Sequence, residues 1–178
     1  PTKFLQGMLT HFSRLKDDDI SPADYLAFAK KLQKNSDTLP EEKEKTAELA
    51  KAFQVYEALK AKQGVMDFSD LINTTLYLFR TRTNILKEYQ ERFKYILVDE
   101  FQDTNNAQYA FVRTLTGDQL KNLFIVADDD QIIYQWNGAS HKRLEQFISD
   151  YSPTVIQLPI NYRCPPEIVK LANNLIRH

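Results

Sequence analysis

The sequence predicts an α/β fold: a short parallel sheet flanked by helices and preceded by a mainly α-helical region. Three observations carry this. Three short apolar runs, residues 95–99, 123–127 and 155–158, have strand length and alternate with helix-like segments at 105–115 and 141–151. Such alternation implies parallel strands with helices over both faces. The first third of the chain is rich in helix formers and helix-start signals. The apolar runs are closed by Asp99, Asp128 and Asn161, at the carboxyl ends of the strands, where open sheets of this kind gather ligands.

The elements follow in order. Ser21-Pro22-Ala23-Asp24 has the form of a capping box: a serine to accept from an orphan amide, proline at the first helical position and an acid at the third. A helix through about Lys34 should follow. Residues 40–63 place Leu49, Phe53, Tyr56 and Leu59 on one side, with Lys and Glu on the other, as in an amphipathic surface helix. Gly64 is its natural stop. Asp67 then reads as an N-cap, with Asp70 at the third position complementing the dipole of a further helix. Here the pattern changes from mainly helical to alternating, which divides the chain into residues 1–65 and 66–178.

Composition bounds the function. At 178 residues the chain can bury one core, or one core and a smaller helical appendage. Hydrophobic residues at 43% and a net charge of -1 describe a soluble globular protein without a broad basic field, so nucleic-acid contact must be local. The lone Cys164 forms no internal disulfide, in agreement with a reducing compartment. His11, His141 and His178 have no metal-ligand spacing. No signal peptide or membrane span is read, and cytoplasm is the expected location. The chain starts at Pro1 and stops at Arg177-His178 within a helical pattern, as a piece of a larger protein would.

The chemistry concentrates at Asp99-Glu100, two carboxylates directly after Tyr95-Ile96-Leu97-Val98. Nucleotide-hydrolysing motors present a magnesium ligand and a water-activating base in this way. The plainer alternative is a pair of solvated strand-end acids. A phosphate loop of the form GxxxxGK[ST] needs glycine directly before lysine. The four glycines, Gly7, Gly64, Gly117 and Gly138, precede Met8, Val65, Asp118 and Ala139. The isolated chain is therefore expected to bind nucleotide weakly and to hydrolyse none.

Three motifs at strand ends occur in order: LVDEFQDT at 97–104, ADDDQIIYQWNGA at 127–139 and LPINYRC at 158–164. Together they resemble motifs II, III and IV of superfamily 1 DNA helicases of the UvrD, Rep and PcrA type. Asp67-Phe68-Ser69-Asp70-Leu71 is similar to a DFxDL stretch ahead of motif II in that family. The resemblance implies that residues 66–178 are the later part of a RecA-like P-loop NTPase lobe without motif I, and that residues 1–65 are a helical insertion. It implies ATP and Mg2+ as cofactors, single-stranded DNA and duplex junctions as partners, and 3′ to 5′ translocation.

The same resemblance assigns roles. Asp99 would hold magnesium, and Glu100 would orient and deprotonate the attacking water. Gln131 would sense the γ-phosphate, since an amide can donate to phosphate and accept from water. Arg163 would stabilise charge on the transferring phosphate as a planar, permanently charged fork. Tyr162 would stack on the nucleotide base. Trp136, with Tyr134 beside it, would stack on bases of single-stranded DNA, a contact of roughly 1–3 kcal/mol per base. On spacing alone these aromatics also suit packing roles. Arg80, Arg82 and Lys87 could meet phosphate or form a solvated face.

Four positions depart from the family pattern: Ala127 for Gly, Ile132 for Ser, Asn137 for Arg and Cys164 for Ser. The loss of that arginine removes a cation near the DNA path. The variant string also resembles a UvrD-like branch that acts with nuclease partners. A competing reading makes the chain a non-catalytic DNA-binding or protein-interaction module with a vestigial nucleotide site.

Overall fold

The computed structural model describes residues 2–117, 122–131 and 141–176. Five helices come first: α1 (Thr2–Asp17), α2 (Pro22–Gln33), α3 (Pro40–Gln63), α4 (Phe68–Thr81) and α5 (Thr83–Arg92). Strand β1 (Ile96–Val98) leads through a 3₁₀ turn at Phe101–Asp103 into α6 (Asn106–Thr116), then to β2 (Leu123–Ile125), α7 (His141–Tyr151) and α8 (Pro166–Ile176). The architecture is α/β and mostly helical.

The helix boundaries follow from their caps. Ser21 accepts from the Asp24 amide at 3.2 Å, and the Asp24 carboxylate accepts from the Ser21 amide at 3.1 Å, so α2 starts where the capping box requires. Gly64 ends α3 at φ 66°, ψ 30°, a left-handed geometry that glycine adopts without steric cost. Asp67 and Asp70 form a second capping box at α4, and Asn105 with Gln108 a third at α6.

α3 keeps most of its expected face, with Phe53 buried and Leu49 and Tyr56 packed against the core, and departs from it at one end. Leu59 is 50% exposed, whereas Lys60 one residue later is buried with Ala50 and Phe53. The apolar pattern fails only at that end, because the carboxylates of Asp67 and Asp70, absent from any local pattern, make a buried lysine favourable.

Two cores organise the chain. The first joins α1, α2 and α3 through Phe12, Leu15, Tyr25, Ala29, Ala50 and Phe53, with the Phe12 and Phe53 rings stacked 4.9 Å apart. The second gathers Phe101, Tyr109 and Phe147 with Val98, Leu123 and Ile125 from the strands. Phe101 and Phe147 meet edge to face at 5.2 Å, the arrangement that aromatic quadrupoles favour. The end of α1 bridges to the later elements. Asn73 donates to the Lys16 carbonyl, Asn105 to Asp17 and Asn106 to Asp18.

β1 and β2 pair in parallel, Ile96 opposite Leu123 and Val98 opposite Ile125. Two expectations need correction. Residues 155–158 are not a strand: the chain from 152 to 161 has no regular structure, and Val155, Ile156, Leu158 and Ile160 are exposed. An apolar run becomes a strand only where a neighbour supplies hydrogen bonds, and no described residue does. Among the described residues the sheet is also covered on one face only, for Leu97 is 72% and Phe124 56% exposed while their neighbours Val98 and Ile125 pack inward. No helix among the described residues is long and apolar enough to cross a membrane.

Candidate functional site

β1 delivers Asp99 and Glu100 to solvent at its carboxyl end. The backbone then turns sharply. Glu100 sits at φ 49°, ψ 42°, a left-handed conformation that is uncommon for a side chain of this size and is characteristic of functional turns. The turn is pinned behind it, since the Phe101 amide donates to the Val126 carbonyl and the Val126 amide to the Val98 carbonyl, each at 2.9 Å. The fully buried Phe101 ring anchors the turn from below. The carboxylates therefore stand on a fixed corner.

Asp99 Oδ1 accepts from the Glu100 amide at 3.0 Å, and Oδ2 has no hydrogen bond among the described residues. Glu100 Oε2 accepts from Gln102 Nε2 at 2.6 Å, and Gln102 Oε1 accepts from the Asp128 amide at 3.1 Å. The Asp128 carboxylate in turn accepts from the Gln131 side-chain amide, while the Gln131 backbone amide donates to the Asp128 carbonyl at 3.2 Å. A chain of hydrogen bonds thus connects Glu100 with Gln131 across the two strand ends. An open cleft of about 380 Å³ lies beside them, lined by Asp99, Glu100, Asp103, Thr104 and Gln108 with Ile72, Phe111 and neighbouring apolar side chains. Within this corner Asp103 Oδ1 is buried and accepts no hydrogen bond among the described residues.

The remaining predicted residues are placed differently. Tyr162 is 90% exposed, and Arg163 is exposed on the turn that Asn161 closes by accepting from the Arg163 and Cys164 amides at 2.9 Å each. No hydrogen bond or ion pair among the described residues joins either to Asp99, Glu100 or Gln131. Trp136 and Tyr134 lie outside the described residues. Arg80 is committed to Asp19 by two hydrogen bonds of 3.0 and 2.6 Å, and Lys87 stands 3.9 Å from Glu91, so both have an intramolecular partner.

A second charged constellation, not read from the sequence, sits at the junction of α1, α3 and α4. Lys60 Nζ lies 2.6 Å from Asp70, 2.9 Å from Asp67 and 2.9 Å from Glu57. Lys16 contacts the same three acids, at 3.0 Å for Asp70 and 3.5 Å for Glu57. Burial alone would raise the Asp67 and Asp70 carboxyls, but hydrogen bonds from the two lysines outweigh it and hold both below the usual carboxylate range. Burial alone would lower Lys60, yet the hydrogen bonds to Asp70 and Glu57 hold it above the ordinary lysine value. Each Asp thus caps α4 and grips two lysines. The only local signal was the capping pattern.

A family model for the UvrD/REP helicase N-terminal domain matches residues 2–152. The chain belongs to this family. Among its relatives, DNA helicase II of Escherichia coli is 43% identical over 129 residues, which are 72% of this chain and 18% of the relative. ATP-dependent DNA helicase PcrA of Bacillus subtilis is 40% identical over 152 residues, 82% of this chain and 20% of the relative. The PcrA of Leuconostoc citreum is 38% identical over 173 residues, 96% of this chain and 21% of the relative. This UvrD/REP helicase domain therefore spans about a fifth of the length of the curated relatives it matches.

Proposed function

We propose that the chain is an internal part of an ATP-dependent DNA helicase that couples hydrolysis to 3′ to 5′ translocation on single-stranded DNA. Residues 1–65 would form a helical insertion, and residues 66–178 the later part of the first RecA-like lobe. Family membership supports this reading. So does the length of the relatives, which leaves room for the phosphate loop that none of the four glycines supplies. The observation that carries it is the strand-end corner, where Glu100 is held at 2.6 Å by Gln102 and linked through Asp128 to Gln131.

The donor set fits magnesium. Asp99 offers a hard, exposed carboxylate oxygen with no hydrogen bond among the described residues, and magnesium is held by one or two carboxylates together with substrate phosphates. Bound with ATP, the ion supplies charge compensation for phosphoryl transfer. In this scheme Asp99 would hold the ion, Glu100 would orient the attacking water and take its proton, and Gln131 would report the γ-phosphate. Arg163 and Tyr162 complete the site on charge and base, and Trp136 and Tyr134 meet DNA.

Glu100→Gln in the intact helicase tests the assignment. DNA-stimulated ATP hydrolysis should fall about 10²-fold or more, in the range that positioned general bases contribute, while nucleotide still binds. Undiminished turnover would overturn the role of Glu100. The purified 178-residue chain should show no magnesium-dependent turnover.

A further inference from the structure

We propose that Gln102 is a positioning residue, setting the Glu100 carboxylate and tying the end of β1 to the end of β2; the role rests on the reading of Glu100 as the base. Glu100 is exposed, so burial does not fix its side chain. Among the described residues the hydrogen-bond partner of its carboxylate is Gln102. That partner is 2% exposed and therefore cannot wander.

The chemistry of the two contacts specifies an amide. A carboxylate only accepts, so Glu100 Oε2 demands a donor; a backbone N–H only donates, so Asp128 demands an acceptor. Gln102 presents Nε2 to the first at 2.6 Å and Oε1 to the second at 3.1 Å. Only one orientation of the side chain satisfies both. Glutamate at 102 would set a carboxylate against that of Glu100, and methionine would fill similar space while leaving the Asp128 amide without this acceptor. Because the Asp128 carboxylate receives the Gln131 amide, the same side chain fixes base and phosphate sensor relative to each other.

A base must sit within hydrogen-bond reach of its water, and a displacement of 1 Å can cost about 10²-fold in rate. In the intact helicase, Gln102→Met and the isosteric Gln102→Glu should lower kcat for DNA-stimulated ATP hydrolysis by about 10- to 100-fold, with KM for ATP within about twofold. On a Glu100→Gln background, Gln102→Met should change the residual rate by less than about twofold, because residues acting as a unit are not additive. In the 178-residue chain, Gln102→Met should speed amide exchange at Asp128 and leave α2 and α3 unchanged.

The role fails if kcat of both variants matches the parent, if KM alone rises, or if the loss persists undiminished on the Glu100→Gln background. Unchanged exchange at Asp128 also overturns it. Turnover retained by Glu100→Gln removes the base itself, and this role with it. An inactive Glu100→Gln beside a fully active Gln102→Met removes the role of Gln102 alone.

Discussion

Asp67 and Asp70 share two buried lysines with Glu57, in contacts of 3.5 Å or less. Asp99 and Glu100, some thirty residues later, are exposed and, among the described residues, receive one backbone and one side-chain hydrogen bond between them. Both pairs are acids at the edge of a regular element. In the helical region both oxygens of Asp67 and of Asp70 find donors within the protein, so these carboxylates are consumed in holding α1, α3 and α4 together. At the strand end the partners are few, so one oxygen of Asp99 and one of Glu100 accept no hydrogen bond among the described residues. Saturated charge marks structure, whereas charge fixed on one side and open on the other marks a place for a ligand.

This contrast is exposed most strongly by Lys60→Met. Removing one cation leaves carboxylates buried without full compensation, and unfolding free energy by urea titration should drop by about 3–5 kcal/mol. Glu100→Gln, whose amide oxygen still accepts from Gln102, should shift it by no more than about 0.5 kcal/mol. Equal losses would erase the distinction between the two regions.

A smaller effect sharpens the strand-end side. With φ at 49°, position 100 strains any residue with a Cβ, so Glu100→Gly should be more stable than Glu100→Ala by about 1–2 kcal/mol. Both variants lose the carboxylate, so their difference isolates the backbone.

The smallest effect is a pH dependence in the helical region. His11 bonds to the Tyr25 hydroxyl at 2.9 Å, and burial, with Arg14 and Lys45 nearby, holds its pKa below the ordinary 6.5. The unfolded chain thus binds the proton first, and the contribution of neutral His11 is present above pH 6.5 and lost as pH falls below it. Unfolding measured between about pH 5 and 7 should be less pH-dependent in His11→Gln.

Much of the local architecture was legible because its causes are local. Ser21 with Asp24, Asp67 with Asp70, and Gly64 act on amides within their own turn. The apolar runs at β1 and β2 lay within a residue or two of the paired ladders, and Asp99-Glu100 stood directly after the first. What could not be read depends on distant partners. Lys60 looks like a solvated charge until Asp67 and Asp70 are placed beside it, and residues 155–158 look like a strand until no neighbour pairs with them. The left-handed turn at Glu100 was hidden for another reason: it is imposed by the hydrogen bonds of Val126 and the burial of Phe101, not by a glycine.

The lysine network also bears on the order of assembly. Lys60 reaches Asp70 across 10 residues, so closing α3 against α4 brings them together within one short segment; Lys16 reaches Asp70 across 54. Loop-closure entropy grows with that separation, so the nearer lysine can join before α1 docks. On this order of closure Lys60→Met is expected to slow folding, whereas Lys16→Met is expected chiefly to hasten unfolding, a contrast that folding and unfolding rates measured across a urea series would read.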